Sequence, residues 1–517
     1  MSSHSSQHIT ISHSQQTNSS SRRRSSTVYN SFQEMLSSGG RNSISNFASS
    51  YSRSANFIQA DFDVMPVRPD KLSYGSVYSD AESTHLLRPE SQDGAAGYDA
   101  VDHQSLEDGT LHDDDDVRSV RTEILRNTGN STAPQTIFNG INTLIGIGIL
   151  SLPLALKYAG WVCGSIILAL CALSTQYTAK ILAKCIKKNE EMTTYGDIAK
   201  YTFGDYAHAM VVATFSIDLL SAGISMIIIF ADSFNALTGI DKFLWKSLIC
   251  TAFFILSFVR LNILSHLSLI GIVCTSMIVL TVMFCGFFKK ESPGSLIQYA
   301  DTSLWPIDTP HLLLSLGIFM SPFGGHAIFP ELYRDMTHPQ KYNKSCTTIF
   351  SFTWLVDYVM AALGYLMFGV AVEDEVTRSI MTTIGFPRGV PLFLCALMGI
   401  LPLSKGPLIT RPLITIADQM TLTKGQNKKT SLLITILNRF GVVFVFFIAS
   451  LVFTDFGRIM SFLGSAICFA ICVIYPLAFY VKLYWADISK LQRVLHCAGI
   501  FIGIGLAISG TLAVALV

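Results

Sequence analysis

The sequence predicts an all-α polytopic membrane protein, with about eleven transmembrane helices behind a polar N-terminal tail. Three observations carry this. Half of the 517 residues are hydrophobic and only 14% are charged, against about 25% charged residues in soluble domains. Mean hydropathy is +0.43 although residues 1–130 are strongly polar, so the remainder is very apolar. From near Gln135 onward, apolar windows recur at lengths of about 20 residues, enough to cross about 30 Å of hydrocarbon.

Residues 1–130 are rich in Ser, Arg, Asp and Gly. Such a segment buries too little apolar surface to offset the entropy of ordering, so a disordered cytosolic tail is expected. Its first thirty residues hold no apolar run, so a helix deeper in the chain must direct insertion. Residues 131–517 form the membrane domain. The expected spans are 136–158, 160–185, 206–231, 243–259, 264–288, 309–331, 346–371, 389–414, 433–454, 459–481 and 493–517. The eighth is the weakest, because Pro391, Pro402, Pro407 and Pro412 interrupt it. With the N-terminus in the cytosol, cytosolic loops and helix ends carry roughly twice as many Lys and Arg as the opposite side. The odd number of spans then puts Val517 on the far, lumenal or exterior, side.

The net charge of +1 gives no argument for nucleic-acid binding. Eleven cysteines sit mostly in apolar segments, with no CxxC pair and no metal spacing, so no metal is expected. No hydrolytic or redox constellation and no Walker A pattern occurs. The chain is therefore read as a non-enzyme without cofactor, and ion-coupled secondary transport is favoured over ATP-driven pumping.

Two spans break their own pattern. The first reads NTLIGIGILSLP from Asn142 to Pro153, and the sixth reads MSPFGGHAIFP from Met320 to Pro330. Gly and Pro at mid-span loosen the backbone, and the freed N–H and C=O groups need partners. Unpaired backbone at that depth is tolerated where it lines a cavity. Breaks at corresponding places in two halves point to a transporter site, with spans 1–5 and 6–10 as the halves and the eleventh appended. Such a site suits a zwitterion. A half-helix N-terminus offers N–H groups to a carboxylate, and a half-helix C-terminus offers carbonyls to an ammonium.

The stretches NTLIGIGILSLPLALKYAGW (142–161), TTYGDIAKYTFGDY (193–206) and GGHAIFPELYRDMTHPQKY (324–342) resemble the amino acid/auxin permease family. Within it they resemble the fungal vacuolar amino acid transporters related to the vesicular inhibitory amino acid transporters. The likeness runs from about Ala133 to the C-terminus. It implies the inverted 5+5 repeat of the bacterial leucine transporter, with helices 1 and 6 discontinuous around the substrate. By position it implies that the substrate carboxylate meets Gly146, Ile147 and Gly148. The amino group would meet carbonyls around Ser321 to Gly324, with Thr143 and Phe323 as pocket wall.

Ionisable residues inside a membrane are functional candidates. Asp218 and Asp357 read either as proton-coupling residues or as hydrogen-bonded structural acids. His326 reads as a proton carrier or a structural histidine. Lys405 either stands in for a sodium ion or snorkels to the cytosolic surface.

In the tail, Glu82 followed at the fourth and fifth positions by Leu86 and Leu87 matches an acidic dileucine sorting signal, read by adaptor complexes on the way to vacuoles. Ser25 and Ser26 after three arginines suit a basophilic kinase. The expected activity is proton-coupled antiport of neutral amino acids into the vacuole; direction and coupling are implied by the resemblance alone. Two alternatives are a plasma-membrane proton or sodium symporter and an amino acid receptor signalling through the tail.

Overall fold

The computed structural model describes residues 129–189, 192–259, 261–422 and 428–516. The tail motifs at Ser25, Ser26, Glu82, Leu86 and Leu87 lie outside the described residues. Within these, the structure is almost wholly helical, with one isolated pairing of extended backbone, between Ser131 and Met336.

The first span is built in two pieces. Thr132 opens α1 (Ala133–Leu144) through a capping box with Gln135, and Pro134 occupies the first turn, where it costs no hydrogen bond. The helix stops at Leu144, because Ile145 and Gly146 turn extended. A 3₁₀ turn (Ile147–Ser151) then leads into α2 (Leu152–Ile186). Gly160 kinks α2 at φ 69° and separates the first span from the second. Only glycine fits there, since a Cβ would lie 2.6 Å from the Trp305 backbone. The kink frees the N–H groups of Trp161 and Val162, which donate to the Ser303 and Leu304 carbonyls at 3.1 Å each.

A short helix α3 (Tyr195–Phe203), capped by Thr194 and Asp197, precedes α4 (Asp205–Thr238), α5 (Lys242–Leu256) and α6 (Leu261–Phe288). The sixth span is broken like the first. It consists of α7 (Thr309–Met320), a 3₁₀ turn (Ser321–Phe323), an irregular stretch and α8 (Phe329–Arg334). There follow α9 (Tyr342–Phe368), α10 (Val376–Thr382), α11 (Gly389–Thr421) and α12 (Lys428–Val452). The tenth span is α13 (Phe456–Phe462), two π-helical runs (Leu463–Cys468 and Ala470–Ile474) and α14 (Tyr475–Leu483); α15 (Lys490–Leu516) closes the chain.

Each expected span coincides with helix. By length and apolar composition, however, eight helices among the described residues suffice to cross a membrane, with a shorter apolar one at Thr309–Phe323. The difference from eleven has physical causes. The first and second spans follow one another across the Gly160 kink with no intervening loop and so count as one, the fourth is only 15 residues long, and the sixth is interrupted. The eighth span is stronger than its prolines suggest. It continues past Pro402, Pro407 and Pro412 to Thr421, and the Ser404 and Thr410 hydroxyls bond to carbonyls three residues back.

The second span packs along the seventh and the third along the eighth, as two related five-helix halves would place them. The ninth and eleventh are peripheral, only 11% and 17% buried over their apolar windows against 67% for the tenth, so they face lipid. At the α4–α5 end of the bundle, Asp232 of α4 is buried between Lys242 (2.7 Å) and Arg378 (3.1 Å), and Arg378 also holds Glu373 at 2.6 Å. Arg378→Gln should cost about 2 kcal/mol, less than a fully buried pair because both cations are partly solvated. Thermal unfolding in detergent measures it, and Arg378→Lys should recover part of the loss.

Candidate functional site

The two breaks meet. A Cβ on Gly148 would lie 3.1 Å from the Ser321 hydroxyl and 3.4 Å from the Pro322 nitrogen, so the Gly148 backbone lies close against the helix 6 break, with little room for a larger side chain. Around the junction lies a cavity of about 260 Å³, just under the range of about 300–1,000 Å³ for drug-sized ligands, which suits a small solute. Thr143, Gly146, Ile147, Gly148, Ser321, Gly324, Asp218 and Lys405 all line it. Its apolar wall includes Leu219, Met226, Ile328, Ile409 and Met460.

The break exposes backbone of both polarities. Gly146, Ile147 and Gly148 open the 3₁₀ turn, and their N–H groups have no backbone carbonyl in reach of a helical bond. At the other edge, α1 ends in carbonyls, and the Lys405 ammonium from α11 reaches that of Ile145 at 3.4 Å. Lys405 therefore points into the cavity rather than to the membrane surface. Asp218 of α4 lines the cavity, and no ion pair joins it to Lys405. Thr143 spends its hydroxyl on the Asn139 carbonyl at 2.9 Å.

Three candidates lie elsewhere. The Phe323 ring, expected at the pocket wall, is fully buried outside the cavity lining and stacks on Phe350. The 3₁₀ turn rotates its side chain away, leaving its carbonyl near Cys472 Sγ at 3.4 Å. His326 is fully buried, with Nε2 at 2.9 Å from the Thr178 hydroxyl and 3.1 Å from the Thr175 carbonyl. These bonds dock the irregular stretch of helix 6 on α2. Asp357 of α9 is also fully buried outside the lining, and neither carboxylate oxygen has a hydrogen-bond partner.

Besides the apolar wall, two polar lining residues, Asn142 and Arg411, were not among the sequence candidates. Asn142 is 5% exposed, and neither amide atom has a partner. It stands four residues before Gly146, so helical spacing puts it on the same face as the break, which is the signal that could have found it. Arg411 of α11 lines the cavity and bonds to the Val259 carbonyl. A separate cavity is lined by Leu154, Tyr158, Leu314, Asp374, Asp455, Gly457 and Arg458. In its loop, burial and then the Asp455 charge push the Asp374 carboxyl up. Burial, then Asp232 and Asp374, raise Glu375 well above the usual range.

A family model described as transmembrane amino acid transporter protein matches residues 129–516, the whole helical domain. The chain belongs to this family. Among its relatives in this transporter family, the Arabidopsis thaliana amino acid transporter AVT1H is 27% identical over 74% of this chain and 89% of its own length. Amino acid transporter AVT1J, also from Arabidopsis thaliana, is 29% identical over 73% of this chain and 88% of its own. Solved structures are more distant. MHP1, a nucleobase-cation-symport-1 family transporter with bromovinylhydantoin bound, gives a TM-score of 0.46 at 12% identity over 74% of this chain and 89% of that one. MhsT in complex with L-phenylalanine gives 0.45 at 12% identity over 73% and 98%. At these scores the likeness is loose, and the fold rests on the helices described above.

Gly146 offers a direct probe of the cavity. A Cβ there would meet no protein atom within 4 Å, and its φ of −118° is open to any residue. Gly146→Ala should leave stability within about 0.5 kcal/mol of the parent. Its methyl takes ligand space, so the apparent KM should rise about tenfold or more. Uptake kinetics beside a melting curve test this, and an unchanged KM would remove Gly146 from the site.

Proposed function

We propose that this transporter exchanges protons for neutral amino acids across the vacuolar membrane, loading the lumen from the cytosol, with eleven crossings, a cytosolic N-terminus and a lumenal C-terminus. The observation that carries the reading is the small cavity at the two breaks, where unbonded N–H groups of Gly146 to Gly148 sit beside an apolar wall. The N–H groups would take the substrate carboxylate, and Ser321 and Gly324 would face its amino group. The wall suits an uncharged side chain.

Lys405 supports a proton rather than a sodium cycle, because its ammonium already serves the carbonyl end of α1. Asp218, the acid that reaches the cavity, is the proposed proton carrier. Asp357, buried without a hydrogen-bond partner, is the second candidate. His326 is given a structural role. The dileucine motif of Glu82, Leu86 and Leu87 supports the vacuolar address, with an adaptor complex as its reader, and Ser25 and Ser26 are proposed kinase targets.

Uptake of labelled neutral amino acids into ATP-energised vacuolar vesicles tests the reading. Uptake should fall when the proton gradient is collapsed and should not respond to sodium. Uptake indifferent to the proton gradient would defeat the antiport. Saturable binding without uptake would favour a receptor. Unchanged vacuolar residence after Leu86→Ala with Leu87→Ala would remove the sorting support.

A further inference from the structure

The chain just before helix 1 is fastened to the chain just after helix 6. The Ser131 N–H donates to the Asp335 carbonyl at 2.6 Å, and the Thr337 N–H donates to the Ser131 carbonyl at 2.9 Å. Side chains reinforce the pairing. The Thr337 hydroxyl donates to the Gly129 carbonyl at 3.0 Å, and the Ser131 hydroxyl bonds to the Asp335 carboxylate. Gly129 fits only without a side chain, since a Cβ would lie 2.3–2.5 Å from the Arg334 and Asp335 backbone. Ser131 and Met336 are at most 2% exposed.

The position of this clasp gives it mechanical meaning. It adjoins the first residues of α1 and the last residue of α8 with almost no slack. α1 has 12 residues and α8 has six, so the clasp sits about 18 Å and about 9 Å along them from the breaks. At the inner ends, Gly325 packs against Thr143 and Leu144 so closely that a Cβ would come within 2.9 Å of both. Each half-helix is thus loosened at its cavity end and tied to the other at its outer end. A six-residue helix is not stable alone, so α8 depends on such ties.

We propose that Gly129–Ser131 and Asp335–Thr337 are positioning residues for transport: their pairing makes α1 and α8 move as one unit, which holds the cavity-facing ends of helices 1 and 6 in register. The inference rests on reading the central cavity as the substrate path. Its test is arranged so that clasp and substrate assignment fail separately.

The full-length protein receives Ala222→Cys in the cavity wall, with the two partly exposed native cysteines, Cys163 and Cys497, changed to Ser. Labelling by a membrane-impermeant maleimide is timed in membrane vesicles of both orientations. Gly129→Val and the milder Thr337→Val should each speed labelling several-fold, by letting α1 swing away alone. Both should raise KM and lower the maximal rate of amino acid uptake, whereas Thr337→Ser should match the parent. Unchanged or slower labelling in Thr337→Val of parental melting temperature overturns the proposal. So does a Thr337→Ser variant that behaves like Thr337→Val. If labelling shifts as expected while the parent transports no amino acid, the functional assignment fails and the clasp stands.

Discussion

Lys405→Met should lower uptake about 10- to 100-fold while the protein still reaches its membrane. Methionine keeps the length and apolar stem but removes the ammonium that serves the Ile145 carbonyl. A hydrogen bond to a charged group contributes about 1.5–3 kcal/mol, which sets this range. The loss should appear in uptake, because the carbonyl end of α1 lies beside the N–H groups proposed to take the substrate. Lys405→Arg keeps the charge but brings a planar fork into a lysine-sized space, so it should rescue poorly. Initial rates of uptake, normalised to protein in the membrane, measure both variants. Parental rates in Lys405→Met would show that the ammonium is dispensable.

Gly464→Ala should be the most destabilising single methyl in the membrane domain. The π-helical run of helix 10 and α7 touch backbone to backbone there. A Cβ on Gly464 would sit 1.7 Å from the Gly317 carbonyl oxygen, and one on Gly317 would sit 2.1 Å from that of Ser461. No rotamer relieves a clash between a Cβ and backbone, so the helices must separate. The cost should reach the top of the overpacking range, about 3 kcal/mol. Gly505→Ala in α15 is the control, because nothing lies within 4 Å of its added methyl, and alanine is the better helix former by about 1 kcal/mol. Melting temperatures in detergent should fall sharply for the first and hold or rise for the second. Equal melting would mean that α7 and helix 10 have room to part.

The glycines and prolines of NTLIGIGILSLP and MSPFGGH announced two broken helices because a residue's backbone freedom is a local property. The same is true of the apolar windows, whose length against the hydrocarbon thickness needs no knowledge of neighbours. Side-chain direction was not legible. Phe323 and Ser321 are two residues apart on one turn, yet only Ser321 faces the cavity, since the 3₁₀ geometry decides which side points inward. Arg411's reach to the Val259 carbonyl was not legible either, because it depends on where the α5–α6 connection lies.

By itself the sequence determined the membrane-spanning class, the polar tail, the places where helices 1 and 6 fail, and a family resemblance that the match over residues 129–516 bears out. Each rests on composition, periodicity or backbone chemistry that acts within about one helical turn or one membrane thickness. Only the tertiary structure decided that the breaks meet at Gly148 and Ser321, that Lys405 serves the Ile145 carbonyl 260 residues away in the chain, and that Gly129–Ser131 is clasped to Asp335–Thr337. Those are pairings between distant segments. Their partners are chosen by helix packing, which a one-dimensional pattern does not encode.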